Sequence, residues 1–75
     1  MSLPFKAVIV DDEPAARRLM KSLLEEYAGV VKVIGEAGSG AEAVAKITEL
    51  QPDVVFLDIQ MPDFTGFEVI EKLER

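Results

Sequence analysis

Three features of the chain predict a three-layer α/β fold around a parallel sheet. Short, largely β-branched apolar runs at 5–10, 30–37 and 54–57 alternate with segments whose apolar residues recur at helical spacing. Capping or breaking residues mark most of the junctions, and the order strand–helix occurs three times to give βαβαβα. Parallel neighbours joined through helices need crossovers of one hand, and these cover the faces of the sheet.

Phe5–Val10 ends in an unbroken apolar stretch, the pattern of a strand buried on both faces. Asp11, Asp12 and Glu13 follow, and Pro14 suits the first turn of a helix, where a missing N–H costs nothing. Ala16, Leu19, Met20, Leu23, Leu24 and Tyr27 form an apolar stripe that predicts a helix ending near Gly29. Arg17, Arg18, Lys21, Glu25 and Glu26 fall largely outside the stripe, and Arg17 and Arg18 read most simply as solvated helix charges, with recognition of an acidic or kinase partner as the lesser reading. Residues 30–37 carry Val31 and Val33 with Ile34 adjacent, a weaker and half-covered strand. Ser39 and Glu42 make an S-x-x-E capping box before a helix with Val44, Ile47 and Leu50 on its buried stripe. Gln51-Pro52-Asp53 breaks that helix, and Val54–Leu57 is the third strand. Thr65 and Glu68 repeat the capping box before a helix bearing Phe67, Ile70 and Leu73.

Composition narrows the chemistry. The 75 residues are 49% hydrophobic and 29% charged, the balance of a globular domain, and no apolar stretch approaches a membrane span. A domain this short buries only about 60% of the surface its unfolded chain exposes, so its core is thin. Met1-Ser2-Leu3 does not begin an export signal, and the expected location is cytoplasmic. Cysteine and histidine are both absent, which leaves carboxylates, hydroxyls, lysines and backbone groups for any chemistry. A net charge of −6 disfavours nucleic-acid binding by this segment and favours cations or basic surfaces.

Asp58 closes the third apolar run, and Asp11 and Asp12 close the first. In open parallel sheets, sites form beyond the carboxyl ends of the strands, where the strand order reverses. Neighbouring first and third strands would bring the three acids together, and the resulting repulsion is relieved by a proton or by a hard cation. Mg²⁺ fits best, because it prefers oxygen ligands, takes one or two direct carboxylates and keeps several waters. Taken singly, Asp11, Asp12 and Glu13 read as helix-terminal acids and Asp58 as a turn residue. Their joint placement after two buried strands favours a functional site. Ser39 and Thr65 read as caps, not nucleophiles, and Gly38-Ser39-Gly40 lacks the length and the lysine of a phosphate loop.

The stretches VIVDDE at Val8 to Glu13, VVFLDIQMP at Val54 to Pro62, and Thr65-Gly66 closely resemble the receiver domain of two-component response regulators, the CheY-like family. The resemblance runs from Phe5 to Leu73. It implies a flavodoxin-like, CheY-like sheet of which only the first three βα units are present, in strand order 2-1-3. It also implies Asp58 as phosphoacceptor, with Mg²⁺ held by Asp12 directly, by Asp11 largely through water, by Asp58 and by the backbone carbonyl of Gln60. The implied donor is a phosphohistidine on a sensor histidine kinase, and the Gln60 side chain would modulate water access to the aspartyl phosphate. DDEPAARRL and FLDIQMP look more like regulators with a LytTR-type DNA-binding output than like single-domain chemotaxis proteins, and such an output is expected beyond Arg75. No enzyme is implied beyond the phosphoacceptor chemistry of Asp58.

A complete receiver is similar to this chain followed by two more strands and two more helices, bearing a switch Thr or Ser and a phosphate-gripping Lys. Lys46 and Lys72 match no such motif. Residues 1–75 are therefore expected to be the N-terminal portion of a receiver, truncated before strands four and five. Two alternatives follow. The apolar third strand, 54–57, would be an uncovered edge able to join copies of the chain as a dimer or swapped assembly. A Mg²⁺-dependent phosphatase of the haloacid dehalogenase type also uses a strand-end aspartate, although in a D-x-D motif that Asp58-Ile59-Gln60 does not match.

Overall fold

Val8 and Val10 alternate with Ala7 and Ile9 along one apolar run, and such a strand needs a neighbour layer on each face. The computed structural model, which describes residues 2–58 and 66–73, gives it both. Strand β1 (Phe5–Val10) lies at the centre of a parallel sheet, flanked by β2 (Val31–Ala37) and β3 (Val54–Leu57) in the order β2-β1-β3. Ala7, Val8, Ile9 and Val10 are all at most 2% exposed. Three helices complete the described chain: α1 (Pro14–Glu25), α2 (Gly40–Leu50) and α3 (Gly66–Leu73). The flavodoxin-like parallel sheet with order 2-1-3 is as expected.

The two faces are unequally covered. On one, Val8 and Val10 meet Ala37, Ala43 and Val69, with Ile34, Ile47, Leu50, Val55, Leu57 and Leu73 packed around them, so α2 and α3 close this side. On the other, α1 packs against β1 and β2. Between α1 and β3 an open groove of about 670 Å³ remains, lined by Ile9, Leu19, Met20, Leu23 and Phe56 among others. Leu19 is 63% and Leu23 48% exposed, so half of the α1 stripe has no cover among the described residues.

The strand ends are pinned. Lys6 N–H donates to Asp53 Oδ2 at 2.9 Å, and Asp53 N–H donates to the Lys6 carbonyl at 2.8 Å, which fixes where β3 joins β1. At the opposite end, Asp58 N–H donates to the Val10 carbonyl at 2.9 Å and Asp11 N–H to the Ala37 carbonyl at 3.1 Å. Both acids thus start where the ladder stops.

The Val33-Ile34 irregularity has a structural cause. Ala7 pairs with Val33 but Val8 pairs with Gly35, so Ile34 is the extra residue of a β-bulge. Because side chains alternate with period two, one inserted residue turns the rest of the strand over. Without it, Glu36 would pair with Val10 and enter the apolar core. With it, Glu36 pairs with Ile9 and joins the α1 face.

Three expectations are corrected. The first helix stops at Glu25 rather than near Gly29, and Glu26 N–H bonds back to Leu23 and Leu24 carbonyls. Arg17 is not a solvated charge: it is half-buried and paired with Glu36 at 3.5 Å. In α3 the buried residue is Val69 and Ile70 is 45% exposed, so Val69 takes the inward place predicted for Ile70, while Leu73 packs against the core as predicted. The Thr65–Glu68 box and the Phe67 side chain lie outside the described residues. The Ser39 cap is as expected, with Ser39 Oγ accepting from Glu42 N–H at 3.1 Å and Glu42 Oε1 accepting from Gly38 N–H at 2.7 Å.

Candidate functional site

Parallel strands all end on the same edge, so the residues that follow β1 and β3 are neighbours although they are far apart in sequence. Asp11 and Asp12 leave β1, and Asp58 leaves β3. One carboxylate oxygen from each of Asp11, Asp12 and Asp58 lies within 4.8 Å of the other two. This is the cluster expected from the sequence. Gln60, expected to add a backbone carbonyl, lies outside the described residues.

Asp11 is held at three points. Its N–H donates to the Ala37 carbonyl, its Oδ1 accepts from Glu13 N–H at 3.0 Å, and its carbonyl accepts from Arg17 Nη1 at 2.6 Å. The contact with Glu13 N–H is a capping-type bond, so the bland reading of this acid holds for one of its two oxygens. Glu13 itself occupies the N-cap of α1 in an extended conformation and makes no side-chain cap bond. The loop between β1 and α1 therefore draws its order from Asp11, Arg17 and the Pro14 start of the helix.

Three like charges this close resist assembly unless a cation joins them, and the geometry suits a small one. Mg²⁺ binds oxygens at about 2.1 Å, so two direct ligands stand at most about 4.2 Å apart. A set bounded at 4.8 Å fits two direct carboxylates with the third reached through water, or three after a contraction of a few tenths of an ångström. The all-oxygen donor set is that of a hard cation. Asp11 and Asp58 are half-buried, which leaves an approach for a phosphoryl group from solvent.

One participant escaped the sequence reading. Arg17 looked like one of two adjacent surface arginines, yet its guanidinium reaches the main chain of Asp11. The only available signal was indirect: Ile34 beside Val33 marks the bulge that turns Glu36 toward α1, where it meets Arg17 and, at 3.0 Å, Lys21.

Comparison with known proteins agrees with the fold. The family model for the response regulator receiver domain matches residues 7–75. An uncharacterized response regulatory protein of Vibrio vulnificus is 48% identical over 68 residues, which cover 91% of this chain and 28% of that protein. The response regulator domain of Thermotoga maritima CheB superposes with a TM-score of 0.84 at 37% identity, over 89% of this chain and 49% of that one. The CheX-CheY-BeF3-Mg²⁺ complex of Borrelia burgdorferi contains a chain matching with a TM-score of 0.80 at 30% identity, over 93% of this chain and 52% of that one. The chain thus spans less than a third of the length of the curated relatives it matches and about half that of these two solved ones.

Proposed function

The chain belongs to the response regulator receiver domain family of two-component systems, and from that premise we propose that Asp58 accepts a phosphoryl group in a Mg²⁺ site made with Asp11 and Asp12. The observation that carries this reading is the convergence of the three carboxylates within 4.8 Å at the ends of β1 and β3. The Borrelia burgdorferi complex, which contains Mg²⁺ and BeF3, supports it by similarity.

An Asp58 oxygen attacks phosphorus in line, the bond from phosphorus to the donor's imidazole nitrogen breaks, and its electron pair returns to that nitrogen. An aspartyl phosphate and a free histidine result. The donor is a phosphohistidine on a sensor histidine kinase, and the 75 residues themselves contain no histidine. When bound, Mg²⁺ supplies positive charge against the phosphoryl oxygens. Asp12 would hold it directly and Asp11 largely through water, with Asp58 and the backbone carbonyl of Gln60 completing the protein's share. Catalysis of this kind is mostly positioning, which fits a nucleophile fixed at the end of a strand. The 75 residues serve as the first three βα units of a receiver, and the phosphoryl signal passes to an output domain of LytTR type that acts on transcription. Among the described residues no helix is long and apolar enough to cross a membrane, and the reading places the chain in the cytoplasm.

Magnesium titration and phosphotransfer test this together. Wild type binds Mg²⁺ and takes the phosphoryl group from a phosphorylated sensor kinase, whereas Asp58→Asn takes none. Turnover of a small phosphomonoester, lost in Asp58→Asn, would instead mark a phosphatase.

A second reading has its own observation. Strand β3 bonds only β1 among the described residues, and the groove beside it is apolar and open. The other edge of β3 is a template for pairing with another copy of the chain.

A further inference from the structure

We infer that Arg17 is a positioning residue of the acidic pocket, clamping the Asp11 main chain so that Asp11 and Asp12 are held ready for the cation. The inference rests on the Mg²⁺ reading above and adds a device that the acids do not contain.

The clamp has three parts. Arg17 Nη1 donates to the Asp11 carbonyl at 2.6 Å in a part-buried setting, a charge-assisted bond to the residue that begins the metal loop. Glu36 holds the other side of the guanidinium, with Oε1 3.5 Å from Arg17 Nε, and its Oε2 accepts from Lys21 Nζ at 3.0 Å. Glu36 stands on the α1 face only because the bulge at Ile34 turns the end of β2 over. Gly38 provides the space: a Cβ there would lie 3.0 Å from Arg17 Nη1, the atom that donates to Asp11. No glycine in the described chain has a positive φ, so Gly38 is required for room and not for backbone conformation.

Charge and position predict opposite signs. A guanidinium beside a cation site repels the cation, so a purely electrostatic Arg17 would weaken Mg²⁺ binding and its removal would tighten it. Glu36 offsets that charge, which leaves the hydrogen bond to the Asp11 carbonyl as the larger effect. Outer partners that orient metal ligands are worth about 10- to 100-fold in affinity.

The experiment is calorimetric titration of the full chain with MgCl₂, paired with thermal melting in EDTA. Arg17→Ala raises the Mg²⁺ Kd about tenfold. Arg17→Lys keeps the charge but not the planar fork, and falls between wild type and Arg17→Ala. Arg18→Ala reports the loss of a neighbouring charge alone, and leaves Kd unchanged or slightly lower. Gly38→Ala raises Kd several-fold in the wild-type background and has no effect in the Arg17→Ala background, because it acts by displacing that guanidinium. A residue with only a structural role would lower the melting point in EDTA and leave the Kd of folded protein unchanged.

A Kd for folded Arg17→Ala equal to or below that of wild type overturns the inference. So does a Gly38→Ala effect that is the same in both backgrounds. Should Arg17→Ala fail to fold, Arg17→Lys and Gly38→Ala decide: wild-type affinity in both overturns the clamp. Absence of Mg²⁺ binding by folded wild type is a separate outcome, since it sinks the metal site and the clamp with it.

Discussion

At the scale of single residues, the acidic pocket gives up stability for cation affinity. Two unit charges 4.8 Å apart repel by about 0.9 kcal/mol even in a water-like dielectric, and salt reduces this further. The three pairs among the acids together reach about 2.6 kcal/mol before salt, and Mg²⁺ at about 100 times its Kd stabilises a binding-competent fold by about 2.7 kcal/mol, so the ion offsets the repulsion. Asp12→Asn is therefore expected to melt higher than wild type in EDTA at low salt and lower than wild type in saturating MgCl₂. Differential scanning calorimetry in the two buffers checks the crossing. Asp11, Asp12 and Asp58 were legible in the sequence because each closes an apolar run, a pattern that survives without knowledge of the fold. Arg17 was not, since nothing local separates it from Arg18; what differs is a partner nineteen residues away that only the bulge makes available.

At the scale of elements, three end signals with a local mechanism were legible: the Pro14 start of α1, the Ser39–Glu42 cap of α2 and the break at Gln51-Pro52-Asp53. Gln51 closes α2 in the left-handed region at φ 46°, where a side chain is strained. Gln51→Gly relieves that strain at some cost in unfolded-state entropy, and should raise unfolding free energy by about 0.5 kcal/mol in urea melts. Gly35→Ala should do the opposite. Its Cβ would stand 2.8 Å from Leu50 Cδ1, and overpacking of this kind costs about 1–3 kcal/mol, measured in the same melts. Helix stripes were legible only to within a position. In α3, Val69 and Leu73 are inward at four-residue spacing while Ile70 is not, because packing against α2, rather than hydrophobicity alone, selects the face. In α1 the stripe was correct as a pattern, but Leu19, Leu23 and Tyr27 remain exposed because no described element lies over them.

At the scale of the whole molecule, the sheet order places the three acids together and leaves one flank open. Both follow from β1 being central: its neighbours end on the same edge, and β3 has a partner on one side only. The open groove joins apolar side chains of α1 to Phe56, and an exposed surface of this kind drives association. Sedimentation velocity should show the wild-type chain growing heavier with concentration, while Leu23→Glu, at a position already 48% exposed, stays monomeric and folded. A wild-type chain that is monomeric at every concentration would count against the second reading without touching the first.

The central claim is that Asp11, Asp12 and Asp58 act as one Mg²⁺-dependent phosphoacceptor. Intact-mass spectrometry of the folded full chain after incubation with acetyl phosphate, in MgCl₂ and in EDTA, tests it most directly. The account predicts a gain of one phosphoryl group in MgCl₂, none in EDTA and none in Asp58→Asn under either condition. Equal phosphorylation with and without Mg²⁺, or a phosphoryl group retained in Asp58→Asn, would contradict it.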